Sequence, residues 1–200
     1  MKKNKIWTVI GAGMLSIGIG MTGYTLWQMN MNSRNQQEAL EKIQTIIEEN
    51  KHSTVDPPAI TTSQKKWKTG DVIGILEIPG IQKELPIVEG TDEDDLAKGV
   101  GHYAQSSLPG GRNQILLSGH RDTVFRQLGT LKTGDALLYK DTNSTYEYTI
   151  YKTYIVKSSN KEVIRNTAPE EILTLSTCYP FYFVGDAPDR YIIEAKRKTE

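Results

Sequence analysis

The chain has 200 residues, and its 24 lysines and arginines balance its 24 aspartates and glutamates, so the formal net charge is zero. A neutral chain gives no global electrostatic reason to expect a nucleic-acid partner. The sequence contains one cysteine, which excludes an internal disulfide and a zinc site built from several cysteines. This length predicts one domain with an additional segment.

The N-terminal segment has the pattern of a membrane anchor. Residues 1–5 are basic, and the run from Ile6 to Trp27 carries no charge. As a helix, this run can cross a bilayer core of about 30 Å. A cleavable signal peptide is the alternative, but its apolar region would be shorter and followed by a small-residue cleavage site. We therefore expect a transmembrane anchor at residues 6–28, with residues 1–5 cytoplasmic and the remaining chain extracytoplasmic.

Residues 29–66 are predicted to be a helical stalk and linker. Residues 33–51 are typical of an amphipathic helix, with Ser33 as a candidate N-cap. Four aliphatic side chains fall on one stripe of this helix: Leu40, Ile43, Ile46 and Ile47. Residues 52–66, HSTVDPPAITTSQKK, contain two prolines and many hydroxyl side chains, which favour a linker. The chemistry is therefore expected in residues 67–200.

The remaining chain is predicted to be mostly β. Residues 91–99 begin with a capping threonine and four acids, which favours a short helix, and residues 166–172 indicate a helical turn. Short apolar or alternating runs bounded by turn residues predict seven strands, at residues 71–78, 85–90, 113–120, 135–141, 145–159, 172–178 and 190–197. Short strands at close spacing with little helix between them predict a closed or nearly closed barrel.

The acidic run at the start of the short helix has two interpretations. It consists of Asp92, Glu93, Asp94 and Asp95. A calcium site needs six to eight oxygen ligands in a defined cage. Acids at a helix N-terminus are stabilised by the helix dipole without any metal. No cofactor is therefore expected, and calcium at these four residues is the alternative.

Three strand ends carry reactive side chains. The run ILLSGH ends in His120, LTLSTC ends in Cys178, and RYIIEA begins with Arg190. Neighbouring antiparallel strands place the end of one beside the start of the next, so Cys178 and Arg190 can be adjacent. His120 can join them if its strand runs parallel to the cysteine strand.

These three side chains together suit acyl transfer through a thioester. A cysteine thiolate is the nucleophile, and a nearby cation favours the thiolate. Histidine can hold that charge and then give a proton to a leaving amine. Arginine can stabilise an oxyanion or hold the substrate backbone. Two alternatives remain: a thiol peptidase that uses water as the acceptor, and a membrane-tethered barrel that binds a partner and keeps Cys178 as a buried structural residue.

Three stretches resemble the signatures of the sortase family, the membrane-anchored cysteine transpeptidases of Gram-positive bacteria. They are LLSGHRDTVF, LTLSTCYPF and DRYIIEAKR. The family pattern is a histidine after a strand, a T-L-x-T-C segment, and an arginine about a dozen residues later. His120, residues 174–178 and Arg190 match it in order. The resemblance covers residues 68–198.

The resemblance implies a fold and a reaction. The fold would be a closed eight-stranded β-barrel with short helices, preceded by the membrane helix and stalk. The substrate would be a surface protein with a C-terminal sorting signal of the LPxTG or LPxTA kind. Cys178 would attack the carbonyl after the threonine, His120 would protonate the departing amine, and Arg190 would bind the signal or stabilise the oxyanion. An amine of a cell-wall precursor or a pilin lysine would then resolve the thioester.

The resemblance is greatest to class D of the family, with class A as second choice. Residues next to Cys178 are expected to bind the signal. Thr177 would help to order the oxyanion hole through its backbone, and the apolar loop after the cysteine would form one wall of the groove. The candidates in and beside this loop are Tyr179, Phe181 and Val184. His102 is expected to have a structural, hydrogen-bonding role.

Overall fold

The computed structural model describes residues 2–52, 67–183 and 185–198. The chain divides into two compact units, Met1–Asn35 and Gln36–Glu200. The predicted linker at residues 53–66 lies outside the described residues. Val184, one of the predicted groove residues, also lies outside them.

The chain begins with a single helix, α1, which runs from Lys2 to His52. The prediction that a helix starts at Ser33 is wrong, because the Ser33 hydroxyl donates to the Met29 carbonyl at 3.0 Å, as a serine inside a helix does. No strong breaker stands near Ser33, so nothing stops the helix there. Judged by mean hydropathy, no helix in the described part of the chain is long and apolar enough to cross a membrane.

The second part of α1 belongs to the same compact unit as the barrel. Ala39 and Ile43 lie on one helix face and are buried, with 7% and 1% of their surface exposed. The Gln44 amide donates to the Glu84 carboxylate at 3.2 Å, and the Asn50 amide donates to the Thr142 carbonyl at 3.3 Å. From Gln36 onward, the segment predicted as a stalk therefore packs with the domain.

Eight strands form a closed barrel, which confirms the predicted architecture. They are β1 (Val72–Ile78), β2 (Lys83–Glu89), β3 (Val100–His102), β4 (Gln114–Gly119), β5 (Ala136–Lys140), β6 (Thr145–Lys157), β7 (Ile172–Tyr179) and β8 (Asp189–Arg197). Their order around the barrel is β1-β2-β3-β4-β7-β8-β6-β5. The pairs β2–β3 and β4–β7 are parallel, and the others are antiparallel.

Short helical segments connect some of the strands. The predicted acidic helix is α2, Glu93–Leu96, and two 3₁₀ turns lie at Pro79–Ile81 and Leu128–Thr130. The helical turn predicted at residues 166–172 is wrong. That segment holds a hydrogen-bonded turn, from the Glu170 amide to the Thr167 carbonyl at 2.9 Å, and then enters β7.

The barrel interior is an apolar core. On β7, Leu173 and Leu175 belong to this core, and Ile193 on β8 and Leu117 on β4 join them. Each such side chain contributes about 1.5–3 kcal/mol on burial. Because side chains alternate along a strand, Cys178 and the other even-numbered residues of β7 face the outer side of the sheet.

Candidate active site

Cys178 and Arg190 lie directly opposite each other. Cys178 is near the end of β7, Arg190 is near the start of β8, and the antiparallel register pairs them. Side chains of direct cross-strand partners share one face, with Cβ atoms about 4.5–5.5 Å apart. Both residues are half-buried. The sheet itself therefore holds the thiol beside the guanidinium.

His120 follows β4 at the same rim of the barrel. β4 and β7 are parallel, and Gly119 pairs with Thr177, so the next residue on each strand is His120 or Cys178. The Thr177 hydroxyl donates to the Gly119 carbonyl at 2.7 Å and ties the two strands together at this point. The His120 carbonyl accepts the Phe125 amide at 3.0 Å, which turns the chain after the histidine.

The Arg190 guanidinium is engaged with the loop that precedes β8. Its Nη1 donates to the Ala187 carbonyl at 3.2 Å and to the Asp189 carbonyl at 3.0 Å. A guanidinium carries five donors. These two contacts therefore fix the orientation of Arg190 and leave donors for another acceptor.

The predicted groove residues have different environments. Thr177 is buried, and its hydroxyl donates to the Gly119 carbonyl. Tyr179, Phe181 and Tyr191 form an aromatic cluster with ring centroids 5.3–6.1 Å apart. Phe181 also packs against the core and lies on Gly129, where an added Cβ would come within 2.5 Å of its ring. Phe181 therefore anchors the start of the loop after β7.

Two serines that the sequence analysis missed lie on the outer face beside the predicted reactive residues. Ser118 on β4 pairs with Ser176 on β7, and Ser176 pairs with Ile192 on β8. Both serines are half-buried, and their side chains are small. The sequence pattern could have identified them, since Ser118 lies two residues before His120 and Ser176 two residues before Cys178. Side chains alternate along a strand, so residues two apart lie on the same face.

The next row of the outer face is covered. Thr174 pairs with Glu194, and both are buried although they face away from the core. The connection between β6 and β7 covers them: Gln114 donates to the Val163 carbonyl at 2.7 Å and accepts the Arg165 amide at 2.9 Å. The open outer face near Cys178 is therefore bounded on one side by this connection.

Glu194 is the centre of a buried polar network under that connection. Arg165 forms an ion pair with it at 2.7 Å, and the hydroxyls of Tyr151 and Tyr154 donate to its two oxygens. Burial alone would raise the pKa of Glu194, but the hydrogen bonds from Arg165 and the two tyrosines outweigh it and lower that pKa to about 2. Burial and the Glu194 carboxylate raise the pKa of both tyrosines to about 12.

His102 lies apart from this rim and is hydrogen-bonded on both ring nitrogens. It is 2% exposed, with Nδ1 2.7 Å from the Glu89 carboxylate and Nε2 3.0 Å from both the Ser107 carbonyl and the Ser106 hydroxyl. These contacts agree with the structural role predicted from the sequence.

The acidic run contributes to local structure. Asp92 caps α2, with reciprocal contacts between Asp92 and Asp95, and Asp95 is buried. Over residues 2–52, 67–183 and 185–198, no group of three or more histidine, cysteine, aspartate or glutamate residues could hold a metal ion.

The chain is similar to several known proteins. The sortase domain family matches residues 76–198. Sortase D of Bacillus subtilis is 44% identical over 208 residues and covers all of both chains. Sortase A of Bacillus anthracis is 25% identical, with 96% of this chain and 95% of the relative covered.

Solved structures give the same result. A sortase D5 transpeptidase of Clostridium perfringens superimposes with a TM-score of 0.69 at 25% identity, covering 83% of this chain and 99% of that one. A sortase C of the same species gives a TM-score of 0.61 at 26% identity, covering 90% and 98%. By family match and by full-length similarity, this chain belongs to the sortase family of cysteine transpeptidases.

Proposed function

We propose that this sortase cleaves an LPxTG-like or LPxTA-like sorting signal after its threonine and transfers the protein to a cell-wall amine. The observation that carries the proposal is the direct pairing of Cys178 with Arg190, with His120 at the end of the neighbouring parallel strand. A nucleophile, an acid–base group and a fixed cation on one face are what acyl transfer through a thioester requires.

The first half-reaction forms the thioester. The Cys178 thiolate attacks the threonine carbonyl, and a carbon–sulfur bond forms as the carbon–nitrogen bond breaks. His120 gives its proton to the departing amine. Arg190 donates hydrogen bonds to the oxyanion that develops on the carbonyl oxygen. Because Arg190 is already held by the carbonyls of Ala187 in the loop and Asp189 at the start of β8, little reorganisation is needed when this charge develops.

The second half-reaction transfers the acyl group. An incoming amine attacks the thioester carbonyl and loses a proton to His120, and the carbon–sulfur bond breaks to regenerate the cysteine. A water molecule in the same position would give hydrolysis instead. The similarity to sortase D supports a class D enzyme, and the cell-wall amine as acceptor is part of the proposal.

The signal would lie along the open outer face of β4 and β7. Ser118 and Ser176 offer small side chains there, so an extended peptide can approach the backbone closely. Tyr179 lies beside this face, and Phe181 holds the loop wall in place. Thr177 would act through its backbone, and Val184 remains a predicted wall residue outside the described part of the chain.

The N-terminal region would attach the enzyme to the membrane. Residues 6–28 are proposed as the anchor, residues 1–5 as the cytoplasmic tail, residues 29–66 as the stalk and linker, and residues 67–200 as the extracytoplasmic catalytic domain. The stalk is not separate from that domain over its whole length, because the chain from Gln36 onward forms one compact unit with the barrel. The uncharged run and its basic flank support this orientation. The similarity to sortase D includes this N-terminal region, since it covers the full length of both chains.

The test is intact-protein mass spectrometry with two peptides, one ending its signal in glycine and one in alanine. Without an amine, the wild-type protein should gain the mass of the acyl fragment on Cys178, and Cys178→Ala should gain none. With a glycine or diaminopimelate-type amine, ligated product should replace the adduct. A Cys178→Ala protein that still joins peptide to amine would contradict the assignment, and hydrolysed peptide alone would indicate water as the acceptor.

A further inference from the structure

The loop between β7 and β8 is held differently in its two halves. Its described residues are 180–183 and 185–188. The first half is fixed by Phe181, which packs against the core and on Gly129. The second half is the part after Phe181. In it, Tyr182 is 86% exposed and Phe183 is 45% exposed. Apolar burial therefore does little to hold the second half.

Arg121 contacts that second half. It follows His120 directly in the sequence, and its Nη2 donates to the Gly185 carbonyl at 2.8 Å. Its guanidinium carbon also lies 5.9 Å from the centre of the Phe183 ring, within the range of a cation–π contact. The segment that follows His120 is thereby joined to the loop that follows Cys178.

Arg190 binds the same stretch of loop from the other side. Its Nη1 donates to the Ala187 carbonyl, two residues beyond the carbonyl that Arg121 holds. Two arginines, one next to His120 and one opposite Cys178, therefore fix neighbouring carbonyls of a short segment. A change in the Gly185 position would move the Ala187 carbonyl, one of the two acceptors that orient Arg190.

The second terminal nitrogen of Arg121 is unusual. Nη1 is shielded from solvent and has no hydrogen-bond partner within residues 2–52, 67–183 and 185–198. A shielded donor without an acceptor costs free energy, and such groups in native proteins need an explanation. Local rules of this kind are broken most often at functional sites, and this donor belongs to the residue that follows His120.

We propose that Arg121 is a positioning residue for the transpeptidation. By holding the Gly185 carbonyl, it fixes the second half of the loop and therefore the Ala187 carbonyl, one of the two that orient the Arg190 guanidinium beside Cys178. This inference rests on the proposed function, in which Arg190 stabilises the oxyanion. Arg121 itself does not need to touch the substrate.

The test is a double-mutant cycle on the full-length protein with a sorting-signal peptide. Arg121→Gln should lower the single-turnover rate of thioester formation by about tenfold or more in the wild-type background. In an Arg190→Lys background the same substitution should change the rate by less than about threefold, because the group it positions is already lost. Arg121→Lys keeps the charge and should recover part of the loss.

The matched control is Arg126→Gln, which removes an exposed arginine five residues further along the same segment. It should leave the rate within about twofold of wild type. The alkylation rate of Cys178 and the melting temperature should be unchanged by Arg121→Gln, which separates positioning from loss of folding.

Three results would overturn the inference: additive effects in the cycle, an equal effect of Arg126→Gln, or an Arg121→Gln rate close to that of wild type. Failure of the proposed function gives a different result, since the wild-type protein would then form no thioester with the peptide, or Arg190→Lys alone would leave the rate unchanged. If Arg190→Lys is slow but Arg121→Gln is not, only the role of Arg121 is lost.

Discussion

Cys178 and Arg190 are partners across the antiparallel β7–β8 pair. Their separation is therefore set by sheet geometry and not by the conformation of a loop. Groups on regular elements are held more precisely than groups on loops, which matters for a charge that must meet a developing oxyanion. The orientation of the guanidinium comes from two carbonyls, Ala187 in the loop and Asp189 at the start of β8.

Arg190→Lys should lower the rate of thioester formation by about 10²–10³-fold, the usual effect of losing one oxyanion donor. Lysine keeps the charge but lacks the planar fork that can donate to loop carbonyls and substrate together. The measurement is single-turnover acylation by intact mass. Alkylation of Cys178 should stay within about threefold of wild type, and an acylation rate within about tenfold of wild type would count against the oxyanion role.

His120→Gln should slow cleavage of the amide signal by about 10²–10⁴-fold, because the departing amine would lack a proton donor. A matched peptide with an ester at the scissile bond has a leaving group that needs protonation less. The variant should therefore lose much less activity on the ester than on the amide. Equal losses on the two substrates would show that His120 does not act as the acid.

His102→Gln is the contrasting substitution. His102 is buried and bonded to Glu89, Ser106 and Ser107, so its replacement should lower the free energy of unfolding by about 1–3 kcal/mol. The ratio of ester to amide activity should stay at the wild-type value. A change in that ratio would indicate that His102 takes part in the chemistry.

Ile43→Ala should destabilise the catalytic unit although Ile43 lies in the predicted stalk. The side chain is 1% exposed, and removing a buried isoleucine side chain down to alanine costs about 2–5 kcal/mol. The change is measured by urea unfolding of the full-length protein in detergent, monitored by the intrinsic fluorescence of the aromatic residues in the barrel. The exposed neighbour Lys42→Ala is the control and should stay within about 0.5 kcal/mol of wild type. Equal stability of the two variants would mean that this part of α1 does not support the barrel.

Glu194→Gln should remove a pH-dependent part of the stability. The pKa of Glu194 is lowered from 4.5 to about 2 in the folded protein, so its contribution is present above about pH 4.5 and is lost as the pH falls towards 2. The variant should be less stable than wild type by about 2 kcal/mol at pH 7. This difference should shrink steadily when urea unfolding is repeated at pH 5, 4 and 3.

The control for this experiment is Glu170→Gln. Glu170 pairs with Lys196 at 3.3 Å, but both side chains are more than half exposed, and such surface pairs contribute about 0–1 kcal/mol. If the difference in free energy of unfolding between wild type and Glu194→Gln does not change with pH, the charge of the Glu194 carboxylate does not contribute to stability.

The sequence predicted those features that depend on neighbouring residues. Short apolar or alternating runs bounded by turn residues placed seven of the eight strands, and the acidic start of residues 91–99 predicted α2. The strand that was not predicted is β3, Val100–His102. It has only three residues, too few for alternation to identify it. Local pattern was also insufficient at Ser33, where no strong breaker ends the surrounding helix.

By itself, the sequence determined the chemical inventory: one thiol, a histidine and an arginine, each at a strand end, in the order of the family. The tertiary structure alone decided that β4 lies beside β7 and runs parallel to it, that Glu194 is covered by the β6–β7 connection, and that Arg190 is oriented by the loop before it. The physical reason is that the partner of a strand is chosen by closing the whole barrel around one core. That choice depends on contacts between residues far apart in the chain, which no local pattern records.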